Sequence, residues 1–338
     1  MRSLFAQPCT IVAGIKEAGA AAFLVALLEG AHPHSIFHIY FHRSAASVLE
    51  GISGAVEVPD DFDLDAKDLI NLHKPDILLV GASAGWSIEK FMYGVAKSAN
   101  IPIYAFIDNY MNTWQRFAHQ DNAKPWFYLP NSIYVISNQM MQKMVSEGCP
   151  TTKIKIIPHP VLEKLATLPR SNESFFRANL GIGEKTTLLT LAVETGITDS
   201  DLWRWENTSS QVDNVVENIL KDLLDFALLR DTQDPGSVVV LIKHHPVDTK
   251  IFSGMLDEYP THIYRSIISV DKVALLDAST AVIGIGSMLL CEAAARGTSA
   301  FTYKNKLDVA YPNLPLSKYL RDIDSFELLR MNLDELCS

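Results

Sequence analysis

The chain has 338 residues, 48% of them hydrophobic and 20% charged, with 17 Gly and 16 Pro. This composition excludes a disordered, collagen-like or coiled-coil chain and leaves room for about two globular domains of ~150 residues. The net charge is −10, from 29 Lys and Arg against 39 Asp and Glu, so no nucleic-acid partner is expected, because gripping a phosphate backbone takes a basic surface.

Short apolar runs alternate with amphipathic stretches along the chain. Thr10 to Ala13, Ile36 to Phe41, Ile77 to Val80, Ile103 to Ile107 and Ile133 to Ile136 read as buried strands. Between them, Glu17 to Glu29, Ala66 to His73, Ser87 to Ala99 and Gln139 to Glu147 read as helices. The alternation implies a parallel sheet covered on both faces. A proline-bearing stretch over 161–171 reads as a linker. The pattern then restarts, with strands at Thr187 to Val193, Val238 to Ile242, Ala281 to Ile285 and Ser299 to Tyr303. The helices of this half are Val212 to Leu229, Ser287 to Arg296 and the terminal Ser325 to Leu336. The expectation is an α/β chain of two consecutive doubly wound, Rossmann-like domains, 1–160 and 172–338, with a cleft between them.

The apolar run Ala20 to Leu28 is far shorter than the ~20 residues that cross a bilayer. No signal peptide or membrane span is expected. The four cysteines, Cys9, Cys149, Cys291 and Cys337, have neither zinc spacing nor the density of a disulfide framework. A cytoplasmic protein follows, with peripheral contact at the inner membrane face left open.

Ligands of open parallel sheets sit beyond the carboxyl ends of the strands. In the second half one strand ends in Lys243-His244-His245-Pro246, and proline stops it there. A later strand runs through Gly284 and Gly286 into Ser287-Met288 at a helix start. Ser287 suits an N-cap, and the free N–H groups of a helix start suit a phosphate. Glu292, further along that helix, is placed to accept both ribose hydroxyls. Each feature alone reads equally as a plain strand end or helix cap; together they point to a nucleotide site.

These residues carry a resemblance. Lys243-x-His245-Pro246 followed by Gly286-Ser287-Met288-x-x-x-Glu292-Ala293-Ala294-x-x-Gly297 resembles the C-terminal half of the GT-B glycosyltransferases and the UDP-N-acetylglucosamine 2-epimerases, which share a fold. The His-Pro pair and the later Ser motif are also similar to those of bacterial sialyltransferases, polysialyltransferases and CDP-glycerol transferases. The resemblance implies that His245 and Ser287 hold the donor phosphate and Glu292 the ribose. It further implies a metal-independent transferase that takes a nucleotide-sugar donor and a glycan or lipid-linked acceptor, in surface polysaccharide synthesis. The chain departs from the epimerases at three loops. Gly81-Ala82-Ser83 lacks their acidic residue, Ile107-Asp108-Asn109 replaces a His-Glu pair, and Glu194-Thr195-Gly196 replaces a His-Arg-rich loop. An epimerase-like enzyme and a non-catalytic nucleotide-sugar-binding protein are the alternatives.

In the first half, Asp108 ends a strand and opens a polar-aromatic segment through Asn112, Trp114, Arg116 and Phe117. Asp108 reads as a general base or as a helix cap, and its neighbours as sugar-binding or core residues. Lys16, Glu17, Ser83, Asn112 and Arg116 are the other acceptor-side candidates. Asp61-Phe62-Asp63-Leu64-Asp65 matches a D-x-D metal motif but reads as the acidic start of a helix. His32, His34, His38 and His42 lack metal spacing. No metal or other cofactor is expected.

Overall fold

The computed structural model describes residues 6–59, 61, 64–83, 85–109, 113–119, 124–193, 209–244, 252–303 and 318–337. The chain divides into two compact units, 1–164 and 165–338.

Unit 1 runs β1 (Thr10–Ile15), α1 (Ala18–Leu28), β2 (Ile36–His42), α2 (Ala46–Leu49), β3 (Ala55–Val58), α3 (Ala66–His73), β4 (Ile77–Val80), α4 (Ile88–Ala99), β5 (Ile103–Phe106), β6 (Ser132–Val135), α5 (Asn138–Ser146) and β7 (Ile154–Ile156). Helix α6 (Pro160–Thr167) passes into unit 2. All strands are parallel, in the order β3-β2-β1-β4-β5-β6-β7. The helices start and stop on local signals. Asp65, Ser87 and Ser137 cap α3, α4 and α5 through their side-chain oxygens, and Lys74 and Asn100 end α3 and α4 in the left-handed region. Asp65 accepts from Lys67 N at 2.6 Å, so this carboxylate of the acidic run is committed to a helix start.

Unit 2 runs α7 (Glu173–Asn179), β8 (Thr187–Ala192), α8 (Ser209–Gln233), β9 (Val238–Lys243), α9 (Ser253–Leu256), β10 (Tyr264–Ile267), α10 (Lys272–Ala278), β11 (Ala281–Gly284), α11 (Met288–Arg296), β12 (Ser299–Tyr303), β13 (Leu320–Ile323) and α12 (Phe326–Cys337). Its sheet is also parallel, ordered β10-β9-β8-β11-β12-β13. Both units are thus the expected Rossmann-like α/β folds. The central strands are buried along nearly their whole length, because helices cover both faces. The apolar run Ala20 to Leu28 forms most of α1, which buries Phe23 and Leu24 against that core. No helix among the described residues is long and apolar enough to cross a membrane.

The segment expected as a linker, 161–171, is largely structured. Pro160 occupies the first position of α6, where a missing N–H costs nothing. The residues after α6 are held on unit 2 by one buried guanidinium. Arg296 donates from Nη1 to the carbonyls of Leu165 and Leu168, both at 2.7 Å, and from Nη2 to that of Pro169 at 3.0 Å. It pairs with Asp277 through Nε at 2.8 Å and Nη2 at 2.6 Å. Asp277 also receives Arg170 Nη1 and Ser171 N, each at 2.8 Å. Burial alone pushes the Asp277 carboxyl up, but hydrogen bonds from Arg296, Ser171 and Arg170 outweigh it and hold it well below the usual carboxylate range.

Candidate functional site

In a doubly wound sheet the crevice for a ligand opens where neighbouring strands send their connections to opposite faces. In unit 1 that point lies between β1 and β4, and in unit 2 between β8 and β11.

At the carboxyl ends of β1, β4 and β5, unit 1 gathers three carboxylates and two cations. Glu17 stands at the start of α1 with an extended backbone and makes no capping hydrogen bond with its side chain. Glu89, in the first turn of α4, points back under the strand ends. Its Oε1 accepts Lys16 N at 3.1 Å and its Oε2 accepts Ser83 N at 2.7 Å. Ser83 Oγ also donates to Oε2. The Glu89 carboxylate therefore ties the loop after β1 to the loop after β4. A Cβ on Gly81 would stand 2.5 Å from Glu89 Oε1, so only glycine lets the carboxylate in.

Asp108 follows β5. Its Oδ1 lies 3.7 Å from Arg116 Nη1 and accepts Asn109 Nδ2 at 3.3 Å. Its backbone carbonyl accepts His159 Nε2 at 3.0 Å. Gly19, in α1, makes room for it, since a Cβ there would collide with Asp108 Oδ2. Arg116 also donates to the Ala82 carbonyl, and its Nη2 to Asn109 Oδ1 at 2.7 Å. The guanidinium thus spans the loops after β4 and β5. Lys90, next to Glu89 and also buried, donates from Nζ to the carbonyls of Arg116 at 2.5 Å and Ala118 at 3.0 Å.

This imbalance of charge is expressed at Glu17. Burial raises its carboxyl to about 7, Arg116 opposes the rise, Asp108 and Glu89 add to it, and Lys16 opposes it more weakly. A carboxyl with a pKa near neutrality is populated as both acid and base at pH 7.

The structure thus brings Lys16, Glu17, Ser83, Asp108 and Arg116 together at one end of one sheet. Asp108 is engaged by Arg116, Asn109 and His159, and the short 3-10 turn that follows, Gln115–Phe117, has Trp114 as its N-cap residue. Phe117 is a core residue stacked on Trp126 at 5.6 Å, not a sugar platform. Asn112 lies outside the described residues. Sequence reading missed Glu89, Lys90 and His159. A signal for Glu89 existed: it is three residues before Met92 and seven before Ala96, on the buried stripe of α4.

In unit 2, Ser287 caps α11 by accepting Leu289 N at 3.3 Å, and buried Gly286 precedes it. Met288 is the first residue of the helix, and Gly297 ends it in the left-handed region. Glu292 is buried to 9% exposure and its Oε1 takes Lys272 Nζ at 2.7 Å. Lys243 Nζ donates to the carbonyls of His244 at 2.6 Å and Ile268 at 2.7 Å. Burial and the nearby Lys272 lower its pKa. Its ammonium therefore ties the ends of β9 and β10. His244 Nε2 pairs with Ser266 Oγ at 2.8 Å. His245, Pro246 and the loop from Glu194 lie outside the described residues. Among the described residues no group of three or more His, Cys, Asp or Glu is placed to hold a metal ion.

No family model matches the sequence, and no curated protein does. Solved structures match its fold over nearly the whole chain. The UDP-GlcNAc 2-epimerase of Methanocaldococcus jannaschii aligns with a TM-score of 0.63 at 11% identity, over 97% of this chain and 93% of that one. Anabaena HepE in complex with UDP aligns at 0.59 and 12% identity, over 96% and 89%. The Neisseria meningitidis UDP-GlcNAc 2-epimerase bound to UDP-GlcNAc aligns at 0.58 and 14% identity, over 87% and 82%. The likeness establishes a GT-B-type fold.

Proposed function

We propose that the protein is an enzyme that acts on the sugar of a UDP-sugar by proton transfer, in the manner of a 2-epimerase. The observation that carries this reading is the cluster of Glu17, Glu89, Asp108 and Arg116 at the strand ends of unit 1, with one carboxyl near neutrality. Epimerisation at C2 needs a base to take the C2 proton as the C1–O bond to UDP breaks, the C–H electrons passing into a C1=C2 double bond, and an acid to return a proton to the opposite face of C2 as UDP adds back at C1. Glu17 and Asp108 are the groups assigned to these two steps. The departure at Gly81-Ala82-Ser83 weighs less than the sequence suggests, because Glu89 delivers a carboxylate there from the helix. The names of the fold neighbours agree with the reading.

Unit 2 supplies the nucleotide subsite in this proposal. Ser287, the start of α11 and His245 are assigned to the phosphates, and Glu292 to the ribose once Lys272 releases it. These groups offset charge on a departing phosphate without a metal, so turnover survives a chelator.

A glycosyltransferase is the second reading, favoured by the Ile107-Asp108-Asn109 loop, which lacks the epimerase His-Glu pair. There the same carboxyls would take the proton of an acceptor hydroxyl. Incubation with UDP-GlcNAc alone in D2O, followed by proton NMR, separates the two. The epimerase reading expects deuterium at C2 of the sugar without any acceptor. UDP release only on addition of a glycan acceptor would establish the transferase instead. Saturable UDP binding with neither reaction would leave a binding protein.

A further inference from the structure

The opposite end of the unit 1 sheet carries a second concavity. A groove of about 640 Å³ lies at the amino ends of β5 and β6 and the carboxyl end of α4. Its walls include the rings of Tyr93, Phe127 and Tyr128, and its polar groups are Lys97, Asn100 and Asn131. That volume falls within the range of small-ligand sites, ~300–1,000 Å³.

The rings stand at fixed angles. Phe127 and Tyr128 are 4.9 Å apart and nearly perpendicular at 82°, and Tyr93 lies 5.4 Å from Tyr128 at 48°. Phe127 is 47% exposed. The segment that presents it is anchored from beneath. Lys90 Nζ sits 4.8 Å over the Tyr128 ring while bonded to two carbonyls, Tyr128 N donates to Phe117 O at 2.9 Å, and Trp126 Nε1 donates to Glu147 O at 2.9 Å. An aromatic surface held in this way loses little freedom on binding.

The polar groups are equally specific. Asn131 Oδ1 accepts Ile103 N at 2.9 Å, which turns its amide N–H groups outward as donors. Asn100 ends α4 in the left-handed region with φ 54°. The Tyr93 hydroxyl is buried without a hydrogen-bond partner among the described residues and feels the Glu89 carboxylate, so it is turned to the interior and only the ring serves the groove. Among the described residues no carboxylate lines the groove, and Lys97 is the one lining cation.

From this chemistry we infer that the groove binds a neutral oligosaccharide. Ring faces suit the C–H faces of pyranoses, and amides suit their hydroxyls. A nucleotide would call for more than one cation around its phosphates, and a lipid for a wall without amides at its rim. The groove opens at the other end of β5 from the carboxylate cluster, although Lys90 links its Tyr128 ring to the Arg116 carbonyl. Ile103 and Asp108 are five residues apart along β5 and its extension, about 17 Å at ~3.3 Å per residue. The saccharide held here is therefore an anchored one and not the reacting sugar. This inference does not depend on the nucleotide-sugar reading.

The test uses the full chain with two neutral probes, maltotriose and triacetylchitotriose, by saturation-transfer NMR and calorimetry. Millimolar, saturable binding of at least one is expected. Phe127→Ala should weaken it at least about fivefold, the loss of one aromatic contact. Asn100→Gly should weaken it about threefold or more, since glycine keeps the left-handed backbone and removes only the amide. Both variants should melt with the wild type, because Phe127 and Asn100 are exposed. Absence of saturable binding by both probes overturns the inference, as does binding that neither substitution weakens. Displacement of the bound saccharide by UDP overturns it too, since the site would then be the nucleotide's. A concentration-dependent dimer abolished by Phe127→Ala would make the groove a contact between copies instead.

Discussion

Replacing Glu17 by Gln removes a carboxyl that the fold holds near neutrality, and it should leave two signatures of opposite sign. The first is catalytic. A lost acid–base group typically lowers kcat by ~10²–10⁴, and the limb of the pH–rate profile near pH 7 should disappear with it. The second concerns stability. In the folded chain the carboxyl titrates at about 7, against 4.5 for the ordinary group. The folded state therefore binds the proton more tightly than the unfolded state. The contribution of Glu17 to stability is complete below pH 4.5 and is lost as pH rises through 7, where the charged carboxylate must sit among Asp108 and Glu89. At ~1.4 kcal/mol per unit the shift corresponds to at most about 3 kcal/mol, and solvent reaching the partly buried group reduces it to about 1–2 kcal/mol. Glutamine carries no charge, so the variant should melt higher than wild type at pH 8, by about 2–8 °C for a unit of this size, and level with it at pH 4. Thermal unfolding at the two pH values and a pH–rate profile of each protein make the test. A variant that melts at or below wild type at pH 8 and keeps its limb near pH 7 would refute both the charge argument and the catalytic assignment.

Glu89→Gln turns an amide N–H2 toward the backbone N–H groups of Lys16 or Ser83, so it should cost about 1–3 kcal/mol in a thermal melt. It should also move the Glu17 limb toward lower pH, because one like charge is gone. Arg296→Met leaves Asp277 buried beside only Arg170 and Ser171 N; breaking such a pair costs about 3–5 kcal/mol, or roughly 6–20 °C, by calorimetry. Asp277 is held below its ordinary pKa of 3.8, so this contribution is complete above that value and fades as pH falls beneath it. Glu292→Gln should weaken UDP binding about tenfold, whereas Lys272→Ala should leave it equal or tighter in calorimetric titration. The opposite order would mean that Glu292 serves only its ion pair.

Legibility of the fold followed burial. The nine strands found from apolar runs, β1, β2, β4, β5, β6, β8, β9, β11 and β12, are all interior to their sheets. The four that were not read as strands, β3, β7, β10 and β13, are the four sheet edges. An edge strand is flanked on one side only and needs no continuous apolar run. β3 carries Glu57, β10 carries Arg265 and Ser266, and β13 carries Arg321 and Asp322, so each reads as loop. The order within 161–171 is hidden for a related reason. Proline reads as a breaker, yet Pro160 opens a helix, and the stretch after that helix gains order from Arg296, more than a hundred residues away. No local pattern announces such a partner.

The site divides along the same line. Residues that follow buried strands, Glu17, Ser83, Asp108 and Ser287, are recognisable because topology places them before any side chain is considered. Glu89 is not, because it reaches the strand ends from a helix. In the sequence it is one acidic residue in a first turn, which the helix dipole explains sufficiently. Only its phase on the apolar stripe of α4 shows that the carboxylate must turn inward and find donors. Those donors are the N–H groups of Lys16 and Ser83, on two different loops, and the small side at Gly81 admits the carboxylate between them. A loop that lacks an acidic residue in the sequence therefore does not lack a carboxylate in space. A motif compares positions along one segment, whereas acid–base chemistry depends on which charges share a volume. At Gly81-Ala82-Ser83 the charge comes from the helix and not from the loop, and Glu17 senses it through its raised pKa.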